Sequence, residues 1–78
     1  MKTVKVLYFA SLRERLGKSE EIIELDNEAT AIEVWKLLNS GAILPDACLV
    51  AINQEYAELS SEVKAGDELA FFPPVTGG

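Results

Sequence analysis

One apolar stripe does most to limit what this chain can fold into. Thr30 and Glu33 stand at capping-box spacing, and Ala31, Val34, Trp35 and Leu38 recur behind them at i, i+3, i+4 and i+7. That is the pattern of a helix with one face turned to a core. The other apolar segments are short and rich in β-branched or aromatic residues, so they read as strands. A single long helix has no second helix of its kind to pack on. Across 78 residues, the economical core is that helix laid over one face of a mixed sheet, an α+β arrangement.

The rest of the chain is consistent with this. Thr3 to Phe9 reads as the first strand, with Val4, Val6 and Tyr8 on its core face and Thr3, Lys5, Leu7 and Phe9 on the other. Ser11 and Glu14 have the spacing of a capping box, opening one or two helical turns over Leu12–Leu16 that Gly17 stops. Glu21–Leu25 reads as a second strand with Asp26-Asn27-Glu28 as its turn, and Ser40-Gly41 ends the main helix. Leu49–Ile52 is a third strand, and Asn53-Gln54 a hairpin turn into Tyr56 and Ala57. Ser60 to Lys64 reads as a short helical turn, Ala65-Gly66-Asp67 as a tight turn and Glu68–Phe72 as the last strand. Pro73-Pro74 closes that strand, since neither proline can donate to a ladder. The expected order is β, short α, β, α, β, β, β, with residues 1–72 forming one domain and residues 73–78 an extended tail.

Composition narrows the functional classes. The chain is 49% hydrophobic and 26% charged, as ordinary globular proteins are, and no apolar run reaches the roughly 20 residues of a membrane span. Lys5 interrupts the one stretch that faintly resembles a signal peptide, Met1–Ser11, so a strand and a cytoplasmic protein are expected. There is no histidine, which removes the commonest general base and metal ligand. Cys48 is the single cysteine, so neither an intrachain disulfide nor a cysteine-based metal cluster is available, and a structural thiol is expected. No metal site and no bound cofactor are expected. Net charge is −6. Residues 1–39 hold six Lys/Arg and seven Asp/Glu, whereas residues 40–78 hold Lys64 against six acids. That argues against nucleic acid or anionic membranes and allows a basic partner near the C-terminal half.

The segment Leu69-Ala-Phe-Phe-Pro-Pro-Val-Thr-Gly-Gly78 carries the functional signal. Glu68 marks one row of the last strand as outward, which places Ala70 and Phe72 outward too. Phe9 and Phe72 then sit at the C-terminal ends of their strands on solvent-facing rows. An apolar cluster of that kind marks an interface. Residues 73–78 span at most about 20 Å when extended. The prolines stiffen the base of this tail, and glycines at the tip let another protein's backbone approach closely. Such a stem suits insertion into a partner's active site better than catalysis by this chain.

Three blocks carry a resemblance. They are Lys5-Val-Leu-Tyr-Phe-Ala10 with Leu12-Arg-Glu-Arg-Leu-Gly17, then Val50-Ala-Ile-Asn-Gln-Glu-Tyr56, then Gly66-Asp-Glu-Leu-Ala-Phe-Phe-Pro-Pro-Val-Thr-Gly-Gly78. In these the chain resembles the small, sulfur-carrying subunits of molybdopterin synthase, which are ubiquitin-like β-grasp proteins. The resemblance implies that an E1-like adenylyltransferase uses ATP to adenylate the Gly78 carboxylate, which then becomes a thiocarboxylate. It also implies sulfur delivery to cyclic pyranopterin monophosphate inside the synthase large subunit, within a heterotetramer. On that pattern Gly78 is the covalent donor, and Thr76 and Gly77 thread the partner's channel. Phe9, Tyr56, Phe72, Pro73 and Pro74 meet the partner, and catalytic side chains belong to the large subunit. Other sulfur carriers (thiamine thiazole, tRNA thiolation, cysteine synthesis), a protein modifier joined to lysines through Gly78, and a plain binding module remain alternatives.

Overall fold

The computed structural model describes residues 2–40, 44 and 48–73. Along them run β1 (Thr3–Tyr8), α1 (Ala10–Leu16), β2 (Glu20–Glu24), β3 (Ala29–Thr30), α2 (Ala31–Leu38), β4 (Leu49–Ile52), β5 (Glu55–Ala57), β6 (Glu62–Val63) and β7 (Glu68–Phe72). Five strands form one sheet in the order β2-β1-β7-β4-β5, and β3 with β6 forms a separate two-stranded ladder. The central pair β1/β7 is parallel, and the remaining pairs are antiparallel.

Strand alternation sorts the side chains as the pattern of β1 requires. Val4, Val6 and Tyr8 are buried, as are Leu69 and Phe71 of β7 and Val50 of β4, all against Ala31, Val34 and Trp35 of α2. Three aromatics lock this layer: Trp35 meets Phe71 edge-on at 5.1 Å and Tyr8 at 6.1 Å, while Tyr8 stacks on Phe71 at 6.0 Å. The Thr30–Glu33 capping box forms as expected, Glu33 N–H donating to Thr30 Oγ1 and Thr30 N–H to Glu33 Oε1. A mixed sheet with the main helix across one face is the β-grasp arrangement that the resemblance implies.

Two local expectations are corrected. Ser11 caps nothing: α1 begins at Ala10, its N-cap is Phe9, and no side chain caps it. The Phe9 N–H donates to the Phe71 carbonyl at 3.2 Å, so the pairing of β1 with β7 decides where the helix starts, and Ser11 falls inside it. Gly17 does stop α1, in the left-handed region at φ 73°. Ser60 to Lys64 is not a helical turn; Glu62–Val63 is strand β6, paired with Ala29–Thr30. Val63 is fully buried there, and its partner lies more than thirty residues back along the chain. β2 starts and ends one residue earlier than expected, with Leu25 buried just beyond it. The expected domain of residues 1–72 is described with gaps. Apart from Pro73, the expected tail lies outside the described residues, as does Gly41.

Candidate partner interface

The face of the sheet away from α2 carries the outer rows. In register, Leu7 lies beside Ala70, Ala70 beside Ala51, and Ala51 beside Tyr56, with Leu49 paired to Phe72. These rows frame a groove of about 400 Å³, lined by Leu7, Phe9, Gln54, Tyr56, Glu68, Ala70 and Phe72. The Phe9 and Phe72 rings stack at 4.6 Å and 7°, as parallel neighbouring strands would place them. Phe9 and Leu49 are each 38% exposed and Tyr56 is 81% exposed, too much apolar surface in one place for scattered single residues. Ala70 is in the outer row as expected, yet it is buried, on the strand paired on both sides, between Leu7 and Ala51.

The structure therefore brings Phe9, Tyr56 and Phe72 to one groove and puts Pro73 directly beyond it. Pro74, Thr76, Gly77 and Gly78 lie outside the described residues. Leu7, Leu49 and Ala70 were not picked out as interface residues from the sequence, although period-two alternation from Phe9 and Phe72 points to Leu7 and Ala70. Leu49 needed the β4–β7 register. Lys5 and Glu20 form an exposed pair at 3.6 Å, which adds little stability.

The opposite, inner side holds a polar network. Tyr8 Oη donates to Glu21 Oε2 at 2.6 Å and accepts from Asn39 Nδ2 at 2.9 Å, while Lys18 Nζ pairs with Glu21 at 2.6 Å. Burial and the Glu21 hydrogen bond push the Tyr8 phenol well above its ordinary range, so it remains a donor. Burial pushes Glu21 upward, but the Lys18 and Tyr8 hydrogen bonds more than offset this and hold its carboxyl below the ordinary range. A polar group on the inner row of β2 is tolerated because each partner is satisfied. Cys48 is half-buried, packs against the core and donates from Sγ to the Phe72 carbonyl at 3.0 Å.

Among the described residues, no group of three or more His, Cys, Asp or Glu side chains is placed to hold a metal ion. No helix among them is long and apolar enough to cross a membrane.

The sequence profile of the ThiS family matches residues 6–78. The chain belongs to the ThiS family. Among the relatives of this ThiS-family chain is the molybdopterin synthase sulfur carrier subunit of Haemophilus influenzae, 47% identical over 96% of this chain and 99% of the relative. The human protein of that name is 35% identical over 96% of this chain and 93% of its own. A similar solved structure is the small archaeal modifier protein 1 of H. volcanii, 30% identical with a TM-score of 0.77, covering 96% of this chain and all of that one. The resemblance read from the three sequence blocks is thereby borne out at the level of family and fold.

Proposed function

We propose that this protein is the sulfur-carrier subunit of a molybdopterin synthase. The observation that supports it most is positional. The apolar groove with the Phe9–Phe72 stack lies at the root of the segment that leads through Pro73 to Gly78, so a partner docked on the groove receives that segment. The family and the names of its relatives support the same reading.

In this reading the Gly78 carboxylate, inert as a resonance-stabilised anion, attacks the α-phosphate of ATP on an E1-like adenylyltransferase and releases pyrophosphate. A donor persulfide then attacks the acyl-adenylate and displaces AMP, giving an acyl disulfide, and a thiol of the sulfur-donating machinery attacks its S–S bond, forming a disulfide there and releasing Gly78 as a thiocarboxylate. Thr76 and Gly77 then thread a narrow channel of the large subunit, whose side chains do the catalysis, and the sulfur attacks cyclic pyranopterin monophosphate on the way to the dithiolene. Phe9, Tyr56, Phe72, Pro73 and Pro74 form the docking surface. The chain holds no cofactor of its own, ATP being consumed on the activating enzyme, and it works in the cytoplasm.

Intact mass spectrometry of the protein from cells tests this: a C-terminal oxygen-to-sulfur replacement is expected, and its absence while the synthase is active overturns the reading. The likeness to a small archaeal modifier protein favours a second reading, attachment to lysines through Gly78. That reading requires isopeptide conjugates in lysate and no thiocarboxylate.

A further inference from the structure

We infer that Glu68 is a specificity-determining residue of the docking groove, taking an arginine that the synthase large subunit presents beside its apolar contact. This rests on the carrier reading above and names the chemistry the partner must bring to that surface.

Among the described residues lining the groove, Glu68 alone is charged. It is half-buried, and its carboxylate has no hydrogen bond or ion pair with another described residue. Its backbone N–H donates to Asn53 Oδ1 at 3.0 Å, which leaves the side chain uncommitted. Lys5 is its register neighbour on β1, yet the Lys5 ammonium pairs with Glu20 at 3.6 Å. Glu20 belongs to β2, which flanks β1 on the side away from β7, so that cation is drawn away from Glu68. A carboxylate beside an apolar floor is matched here only when a partner supplies the positive charge.

The surroundings favour arginine over lysine. Gln54 and Glu68 also line a second hollow of about 190 Å³, together with Asn53. Asn53 is already committed, its Nδ2 donating to Asp67 Oδ1 at 3.0 Å and its Oδ1 accepting from Glu68. The open acceptors are therefore the Glu68 carboxylate and the Gln54 amide oxygen. A guanidinium carries five N–H donors in a planar fork, suited to bridging two such acceptors, whereas an ammonium is a compact point charge. Its methylene stem can lie along the apolar floor at Leu7 and Ala70, and the exposed Tyr56 ring in the same lining gives the cation an aromatic neighbour.

The placement also orients the partner. Glu68 and Phe72 stand at opposite ends of β7, about 13 Å apart along an extended strand. An apolar contact at the Phe9–Phe72 stack and an ion pair at Glu68 fix two points, and two points allow one direction of docking.

The test is calorimetric titration of the full-length carrier against the large subunit of the same organism. The carriers are wild type, Glu68→Gln, Glu68→Arg and Lys5→Gln, with unfolding midpoints confirming that each is folded. Glu68→Gln keeps the shape of the side chain and is expected to raise Kd about tenfold or more, as loss of a hydrogen-bonded charge does. Lys5→Gln should leave Kd within about twofold of wild type or lower it. Surface arginines and lysines of the large subunit are then changed singly to glutamate, and one arginine variant should bind wild type poorly and Glu68→Arg well. A Glu68→Gln Kd within about twofold of wild type overturns the proposal. So does a Lys5→Gln carrier as weak as Glu68→Gln, which would make Glu68 a partner of its own lysine, and so does the absence of rescue at any arginine. A wild type that does not bind the large subunit is a different failure: it sinks the carrier reading itself and this proposal with it.

Discussion

Phe72 shows how much a single residue carries here: its ring stacks on Phe9, its carbonyl accepts from Cys48, and the proline pair follows it. Phe72→Arg is expected to weaken binding of the large subunit by about 2–4 kcal/mol, because it places a charge in a desolvated apolar centre. Calorimetric titration against the large subunit measures this, and an unchanged Kd would show that the groove is not where the partner docks. Tyr8 makes the matching argument on the inner side. Tyr8→Phe removes a hydroxyl that satisfies both the buried Asn39 and Glu21, so it should cost about 1–3 kcal/mol in urea unfolding. The pH response follows from Glu21, whose folded carboxyl is held below its ordinary range. Its contribution is present above the ordinary glutamate range and is lost as pH falls through the depressed value. In Tyr8→Phe that acid-side loss should shrink, and identical pH profiles for the two proteins would count against the network.

At the scale of elements, local chemistry and distant pairing divide the outcome. The α2 capping box needed only Thr30 and Glu33 three residues apart, and the Gly17 stop needed only a residue that accepts positive φ. The β4–β5 turn is similar, with Asn53 at φ 53° and Gln54 at φ 70°, as a two-residue primed turn requires. Gln54→Gly relieves the strained second position at some cost in unfolded-chain entropy, so a net gain of about 0.5 kcal/mol is expected. Chemical denaturation checks it, and a loss of stability would mean that Gln54 makes a compensating contact. The start of α1 and the identity of β6 were not legible in this way. Ser11 and Glu14 have the spacing of a cap, but the bond from Phe9 to Phe71 sets the boundary first. Glu62–Val63 is too short to show a period, and becomes a strand because Ala29–Thr30 lies beside it.

For the whole molecule, the buried cluster among the described residues runs from Val4 to Phe71 through both helices and the sheet, and Gly78 lies outside the described residues. On the carrier reading, deleting Gly78 is expected to abolish sulfur transfer while leaving the thermal midpoint within about 1 °C, because one terminal glycine adds little burial and each kcal/mol corresponds to about 4–8 °C in a domain of this size. A transfer assay and calorimetry together decide it. A large drop in midpoint would place the glycine in the fold, and retained transfer would remove it from the chemistry.

What the sequence determined by itself is whatever depends on neighbours within a few residues or on simple alternation. The helix stripe, the core face of β1, the hairpin turn and the outward row shared by Glu68, Ala70 and Phe72 are all of this kind, and together they implied one helix across a mixed sheet and an apolar patch, while the β-grasp class came from the resemblance carried by the three sequence blocks. Tertiary structure decided what depends on register between distant strands. The parallel pairing of β1 with β7 turned Phe9 and Phe72 into one stack, and the β4–β7 register brought Leu49 into the face and the Cys48 thiol to the Phe72 carbonyl. No local pattern encodes such contacts, because the residues that meet are tens of positions apart and only the closed sheet makes them neighbours.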